Sequence, residues 1–273
     1  LGVLPQAANS VGADVVSFKA ANNAVNPVSA LNGSQKAVML LNIEPDMDWA
    51  GSEAAKQALL QAQTVIALTP FQSESLRELA DVMLPVTPST ETSGSFVSME
   101  GRLQSFHGVV KPYAQSRPMW KVLRVIGNEL DLDGFDYTSS EEVLARACIN
   151  SDSIVGKLNN QVQNVAATGL QAASALVRVG GVGIYQTDSV VRRSAPLQAT
   201  VHAAIPAASV HPKTLAALQL TDAAQVVVKS GAASVLVTVV ADETIAENVV
   251  SLPLHPQNKV LGAMNNAIEL GRG

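Results

Sequence analysis

Charge is scarce in this chain: Asp, Glu, Lys and Arg together supply 15% of its 273 residues, against a usual share of about 25%. With so few ions to cover it, part of the surface is expected to face a partner rather than water. Cysteine is scarcer still. A lone Cys148 excludes any disulfide within the chain and fits a reducing compartment. It also excludes a cysteine-ligated iron–sulfur cluster or a multi-cysteine zinc site here, since both need several thiolates. Long hydrophobic runs are missing too: stretches such as Ala37 to Leu41 and Val235 to Ala241 fall far short of the ~20 residues that span a bilayer. Basic residues number 18 against 23 acidic, a formal charge of −5, so nothing draws the chain to a phosphate backbone and nucleic acid is not an expected partner. The chain opens on Leu1 without the basic and apolar regions of a signal peptide, and a piece of a longer polypeptide is expected.

What is present is apolar and periodic. Hydrophobic residues reach 47% and the length suits two domains, each with a core of its own. From Lys36 short apolar runs alternate with helical periods: a strand in Ala37 to Ile43, a helix over Asp48 to Gln63, a strand at Thr64 to Leu68, a helix from Ser73 to Ala80, and a strand at Val82 to Val86. This rhythm predicts an α/β fold with a doubly wound, mostly parallel sheet covered on both sides. From Ser89 to Arg102 periodicity vanishes, and Gly, Ser and Thr predict a long loop of the kind that carries function. Helical period returns from Arg117 to Leu130, with Trp120, Leu123, Val125, Ile126 and Leu130 on one side, and Ser139 with Glu142 has the spacing of a capping box before one more helix.

Residues 151–197 read as a helical or irregular connector, with a helix around Val162 to Leu176 and an exposed glycine turn at Gly180 to Gly183. The texture then becomes short β-runs at Thr200 to Ala204, Gln225 to Lys229, Ser234 to Val240 and Val249 to Leu252, with a hairpin turn at Ser230 and Gly231 and a helix begun by His211 and Pro212. The expected division is an α/β domain over 1–150, a connector over 151–197 and a small β-rich domain over 198–273.

Several chemistries drop out. His107, His202, His211 and His255 share no ligand spacing, so a metal is not expected. The run Asp131, Asp133, Gly134 and Asp136 places its glycine too early for a calcium loop. Gly181 and Gly183 begin a dinucleotide fingerprint that Gln186 leaves unfinished, and neither a nucleophile elbow nor a Walker A sequence occurs. The strong feature is the segment that runs through Asp81, Leu84 and Pro85, then Glu91, Gly94 and Ser95, then Glu100, Gly101 and Arg102. Its glycines permit close backbone approach, its hydroxyls donate, and Arg102 has the fork to grip an anion, at the sheet edge where open α/β folds bind ligands. The competing reading is that Glu91, Glu100 and Arg102 pair with one another and only satisfy the loop.

The series Ala80-Asp81-x-x-Leu84-Pro85, Glu91-x-x-Gly94-Ser95-Phe96 and Met99-Glu100-Gly101-Arg102-x-Gln104 resembles the molybdopterin oxidoreductase superfamily. Within it, Phe96 to Phe106, Arg117 to Arg124, Gly134 to Tyr137 and Val191 to Gln198 look like the large peripheral-arm subunit of bacterial NADH:quinone oxidoreductase, respiratory complex I. Ala8 to Ala13 is similar to a stretch of the molybdopterin-like region of that subunit. The resemblance implies the C-terminal part of a subunit whose N-terminal part carries [2Fe–2S] and [4Fe–4S] clusters. It further implies a C-terminal double-psi barrel, where Asn265 and Asn266 fall near the asparagine that contacts pterin in molybdenum enzymes.

One departure bears on the cofactor. Catalytic members commonly read T-N-x-E-G-R in the loop, whereas Ser98 stands here where asparagine is usual, removing a donor and an acceptor together. The expectation is a vestigial pocket in a fragment without catalytic residue, cofactor or metal, in which Glu91, Gly94, Glu100, Gly101, Arg102 and Asn266 are the remnants of a pterin site. Its expected partners are the cluster-bearing region of the same polypeptide and other peripheral-arm subunits, on the cytoplasmic side of the bacterial inner membrane. The alternative is the C-terminal half of a catalytic molybdopterin enzyme of the formate dehydrogenase or nitrate reductase type, and a third reading is a stand-alone small-molecule-binding domain.

Overall fold

The computed structural model describes residues 7–18, 31, 35–49, 52–147, 151–157, 175–262 and 264–272. Three parallel strands, β1 (Val38–Leu41), β2 (Val65–Thr69) and β3 (Val82–Pro85), lie side by side in that order. Their registers pair Leu40 with Ala67 and Ala67 with Met83. The connecting helices Ser52–Leu60 and Glu74–Leu79 bury Leu59, Leu76 and Leu79 against Leu40, Val65 and Ala67, the core of the first half. Ser73 caps the second helix by accepting the Leu76 N–H. Asp81 accepts the Val65 N–H at 2.7 Å, which ties the start of β2 to the turn before β3. The helix expected over Asp48 to Gln63 is two pieces, Pro45–Asp48 and Ser52–Leu60, because Trp49 takes an extended backbone between them.

The expected long loop is instead a 3₁₀ turn at Ser89–Glu91 followed by an antiparallel hairpin, β4 (Gly94–Val97) and β5 (Leu103–Phe106). No apolar alternation marks it because its cross-strand contacts are of other kinds: the Ser95 and Ser105 hydroxyls share a hydrogen bond of 2.7 Å, and the Phe96 and Phe106 rings meet edge to face at 5.3 Å. Val97 packs with Val15 and Ile154, from helices Ser10–Val15 and Ser151–Lys157. Asn9 accepts the Val97 N–H at 2.9 Å, and a Cβ at position 12 would lie 2.1 Å from that same Asn9 oxygen, so a larger residue there must push the Asn9 side chain away. The helices at Met119–Glu129 and Ser140–Arg146 form as expected, the second with Ser139 accepting the Glu142 N–H.

The second half is a closed barrel of β6 (Leu176–Val179), β7 (Ala208–Val210), β8 (Gln225–Ser230), β9 (Ala233–Ala241), β10 (Val249–Ser251) and β11 (Ala267–Arg272). Its strands follow the order β10-β6-β11-β8-β9-β7 and close β7 onto β10. Alternation along β8 and β9 sends Val226, Val228, Val237 and Val239 inward, where they join Val210, Val250, Leu252, Leu261 and Ile268. β6 falls inside the stretch read as connector. Of the helix expected at Val162 to Leu176, residues 162–174 lie outside the described residues, as does Cys148, and Leu176 opens a strand. The strand expected at Thr200 to Ala204 is a 3₁₀ turn over Val201–Ala203. The pairing with β9 and β10 is taken up instead by β7, beyond Pro206.

Gly180, at the exit of β6, adopts φ +154, and a Cβ there would sit 2.9 Å from the Pro253 backbone. Gly180→Ala is therefore expected to destabilise the barrel by about 1–3 kcal/mol in urea denaturation. An unchanged midpoint would show that this approach is not constrained.

Candidate functional site

Loops leaving the carboxyl ends of β1, β2 and β3 form the edge at which an open α/β sheet receives ligands. After β1 come Glu44, Asp46 and Asp48, brought together because the helix Pro45–Asp48 begins there. The barrel half supplies cations to the same edge. Arg193 Nη2 donates to Glu44 at 2.7 Å, Arg192 Nη1 donates to Asp48 at 2.7 Å, and Arg192 Nη2 reaches Glu44 at 3.3 Å. The side chains of Glu44 and Arg192 are only 5% and 6% exposed, so these pairs are little screened by solvent. Arg193 also lays its guanidinium 4.2 Å above the Phe71 ring, in the loop after β2.

Lys259 completes the contact, 3.3 Å from Asp46, which also accepts a hydrogen bond from Ser75. Burial pushes the Asp46 carboxyl up, but Ser75 and Lys259 outweigh it and hold the group below its ordinary value. Lys259 is positioned from inside the barrel by Arg178, which is fully buried and, among the described residues, forms no ion pair. Arg178 donates to the Leu252 carbonyl at 3.0 Å and to Asn258 Oδ1 at 2.8 Å, with longer bonds to the carbonyls of Gly262 and Pro253. These bonds fix the loop 252–262 that carries Lys259 and His255 to the sheet edge.

His255 sits in that loop, half-buried. Burial lowers its pKa from the ordinary 6.5, while a hydrogen bond with the Ala203 backbone opposes the shift in part. The unfolded chain therefore binds the proton more readily than the folded one. This contribution to stability is complete above about pH 7 and declines as pH falls below 6.5 through the lower folded value. Thermal midpoints between pH 8 and pH 5 should fall at the acid end, and His255→Gln should flatten that fall. A wild-type profile as flat as the variant's would refute the assignment.

The expected site residues are placed apart. Glu91 lines two neighbouring clefts, of about 580 and 750 Å³, but its carboxylate accepts the Tyr113 N–H at 2.9 Å. Gly94 lies beneath the Phe106 ring, where a Cβ would be 2.9 Å from the ring edge. Gly101, with φ +81, closes the far end of the hairpin, where the Ser98 carbonyl accepts its N–H and Ser98 Oγ that of Arg102. The side chains of Glu100 and Arg102 are exposed beside it, and among the described residues neither forms an ion pair with the other or with Glu91. Asn265 and Asn266 sit exposed on the barrel, their backbones paired with Arg178. Among the described residues no group of His, Cys, Asp and Glu is arranged to hold a metal, and no helix is long and apolar enough to cross a membrane. Sequence reasoning missed Glu44, Asp48, Arg178 and Lys259, whose partners are remote along the chain.

Comparison with known proteins gives this geometry a setting. Residues 1–129 match the family model of molybdopterin oxidoreductases, and residues 176–270, the barrel, match that of the molybdopterin dinucleotide-binding domain. The first half thus matches a molybdopterin oxidoreductase domain and the barrel a molybdopterin dinucleotide-binding domain. A formate dehydrogenase-like protein of Staphylococcus aureus (strain bovine RF122 / ET3-1) is 38% identical over 65 residues, 24% of this chain and 6% of that protein. The alpha subunit of an NADPH-Fe(3+) oxidoreductase of Geobacter sulfurreducens is 31% identical over 98 residues, 36% of this chain and 12% of that one. Acetylene hydratase from Pelobacter acetylenicus shares the fold with a TM-score of 0.61 at 14% identity, over 91% of this chain and 46% of its own. The chain thus spans under half of that relative, and the matched segments are small parts of the other two.

As these side chains stand, the cations at the carboxyl edge of the sheet are engaged within the chain. The guanidiniums of Arg192 and Arg193 hold Asp48 and Glu44, and the face of Phe71 is taken by Arg193. The hairpin separates Glu91 from Arg102 by the length of its strands, roughly 10 Å at about 3.3 Å per residue.

Proposed function

We propose that these molybdopterin oxidoreductase domains belong to the large peripheral-arm subunit of an NADH:quinone oxidoreductase, respiratory complex I, and serve as a structural and assembly element without a redox centre. The observation that carries the reading is the ion-pair lattice at the carboxyl edge of the sheet. Its cations, Arg192 and Arg193, lie in the Val191 to Gln198 motif on which the narrower resemblance rests, so that motif has a physical role. It closes the edge with the chain's own charges. The side chains bind one half of the chain to the other and move no electron or proton. The parent enzyme would pass electrons from NADH to quinone through clusters held in other segments. On this reading the chain packs among peripheral-arm subunits on the cytoplasmic side of the membrane, in keeping with its low charge content.

The test is metal and pterin analysis of the full-length parent, purified with its partners. Co-purifying peripheral-arm subunits and no stoichiometric molybdenum, tungsten or pterin is the expected result. Bound pterin with either metal would instead establish the second reading, a catalytic molybdopterin oxidoreductase of the formate dehydrogenase type. That reading is favoured by the formate dehydrogenase-like relatives and the dinucleotide-binding domain match. It requires the Arg192 and Arg193 latch to open, leaving the Gly94 hairpin and Arg102 to approach the pterin phosphates.

A further inference from the structure

We infer that Asp133 is a site of spontaneous isomerisation, at which the neighbouring Gly134 converts the aspartate into isoaspartate while the protein stays folded. The inference is independent of the redox role proposed above and holds under either reading of it.

The run Asp131, Asp133, Gly134 and Asp136 fails as a calcium loop, yet it contains the one Asp-Gly step in the sequence. The structure places that step at the tip of a turn anchored on both sides. Before the tip, the Leu132 N–H donates to the Gly127 carbonyl at 3.0 Å. After it, the Phe135 ring lies against Gly127, where a Cβ would come within 2.3 Å of the ring, and the Tyr137 carbonyl accepts Arg124 Nη1 at 2.8 Å. Helix Met119–Glu129 thus holds the chain around the tip but not at the tip itself. Asp133 and Gly134 are both exposed. Among the described residues the Asp133 carboxylate forms neither a hydrogen bond nor an ion pair, and the Gly134 N–H has no acceptor.

These are the conditions that ring closure requires. An amide engaged in a hydrogen bond must give it up before its nitrogen can attack, and Gly134 has none to lose. A side chain on the residue after the aspartate crowds the approach, whereas Gly134 has none and, at φ +84, has open space where a Cβ would lie. The step balances with water alone. The Gly134 nitrogen bonds to Asp133 Cγ, and the hydroxyl of the carboxylic acid leaves with the amide proton as water, closing a five-membered succinimide. Water then adds back to one carbonyl of the ring. At Cγ it restores aspartate. At the main-chain carbonyl it breaks the bond from that carbon to nitrogen, so that the chain runs through Cβ and Cγ and the α-carboxylate is set free. Nothing is oxidised or reduced, and the mass is unchanged. The added main-chain carbon falls between the two anchors, where the tip has room to bulge outward. The freed carboxylate is the group that a protein carboxyl methyltransferase would esterify.

The test is to hold the folded full-length protein at neutral pH and its growth temperature, digest samples at intervals, and locate isoaspartate by electron-transfer fragmentation. Mapping by residue keeps it apart from deamidation at Asn32, which lies outside the described residues. Isoaspartate is expected at position 133 and not at Asp131 or Asp136, forming within roughly tenfold of the rate in the same protein unfolded in urea, an added barrier of at most about 1.4 kcal/mol. Asp133→Glu, whose ring would need six members, should abolish it. Asp133→Asn closes the same ring by releasing ammonia and should convert faster, reported as a gain in mass. A folded rate roughly a hundredfold below the unfolded one, equal conversion at all three aspartates, or an Asp133→Asn protein that keeps its amide would overturn the inference, because each means that the fold does not leave this tip free to cyclise.

Discussion

Arg178→Ala is expected to lower the stability of the barrel by about 3–5 kcal/mol in denaturant unfolding, the largest effect of any single side chain described. The guanidinium is fully buried and its donors meet Leu252 O, Pro253 O, Gly262 O and Asn258 Oδ1. Truncation takes the guanidinium from the Leu252 and Gly262 carbonyls, while Pro253 O keeps the Asn258 amide and Asn258 Oδ1 keeps the His255 N–H; each buried group left unsatisfied costs on the order of 1–3 kcal/mol, part of which water entering the space recovers. Burial lowers the guanidinium's pKa, but an arginine stays charged at any working pH, so the carbonyl cage is what stabilises the ion. Arg178→Met separates the two contributions. It fills most of the volume and offers no donor, and it should retain little of the lost stability. If methionine restores wild-type stability, the carbonyl bonds contribute little and Arg178 acts as packing.

Glu44→Ala is the second large effect, about 3 kcal/mol, because removing one member of a buried ion pair strands the other. Asp48 still holds Arg192, so the loss falls mainly on Arg193 and on the second Arg192 contact. The pattern of the loss is more telling than its size. Glu44 belongs to the sheet half and both arginines to the barrel half, so the variant should convert a single calorimetric transition into two. One unsplit transition at an unchanged midpoint would show that the lattice does not couple the halves.

Legibility in the sequence followed the range of the forces involved. The sheet could be read because Ala37 to Ile43 and Thr64 to Leu68 are continuous apolar runs, which only a covered parallel strand explains. β8 and β9 could be read from their alternation. β11 could not, since Ala267 to Arg272 places Glu269, Gly271 and Arg272 on a short strand whose identity comes from its neighbours β6 and β8. The hairpin at 94–106 was hidden because a serine pair and a glycine beneath a phenylalanine ring stabilise it, contacts that leave no periodic trace. The lattice was hidden for a different reason. Glu44 and Arg192 each look like an ordinary surface charge until the fold carries one to the other across most of the chain.

Closure of the barrel also sets a constraint in time. Val177 pairs with Val249 on one side and Ala267 on the other, so the first strand gains its second neighbour only when the last has been made. Long-range pairing of this kind folds slowly, and a growing chain leaves its apolar strands open until synthesis reaches Arg272. The barrel half therefore becomes native only once β11 has left the ribosome, which makes this strand the point at which a nascent chain escapes aggregation.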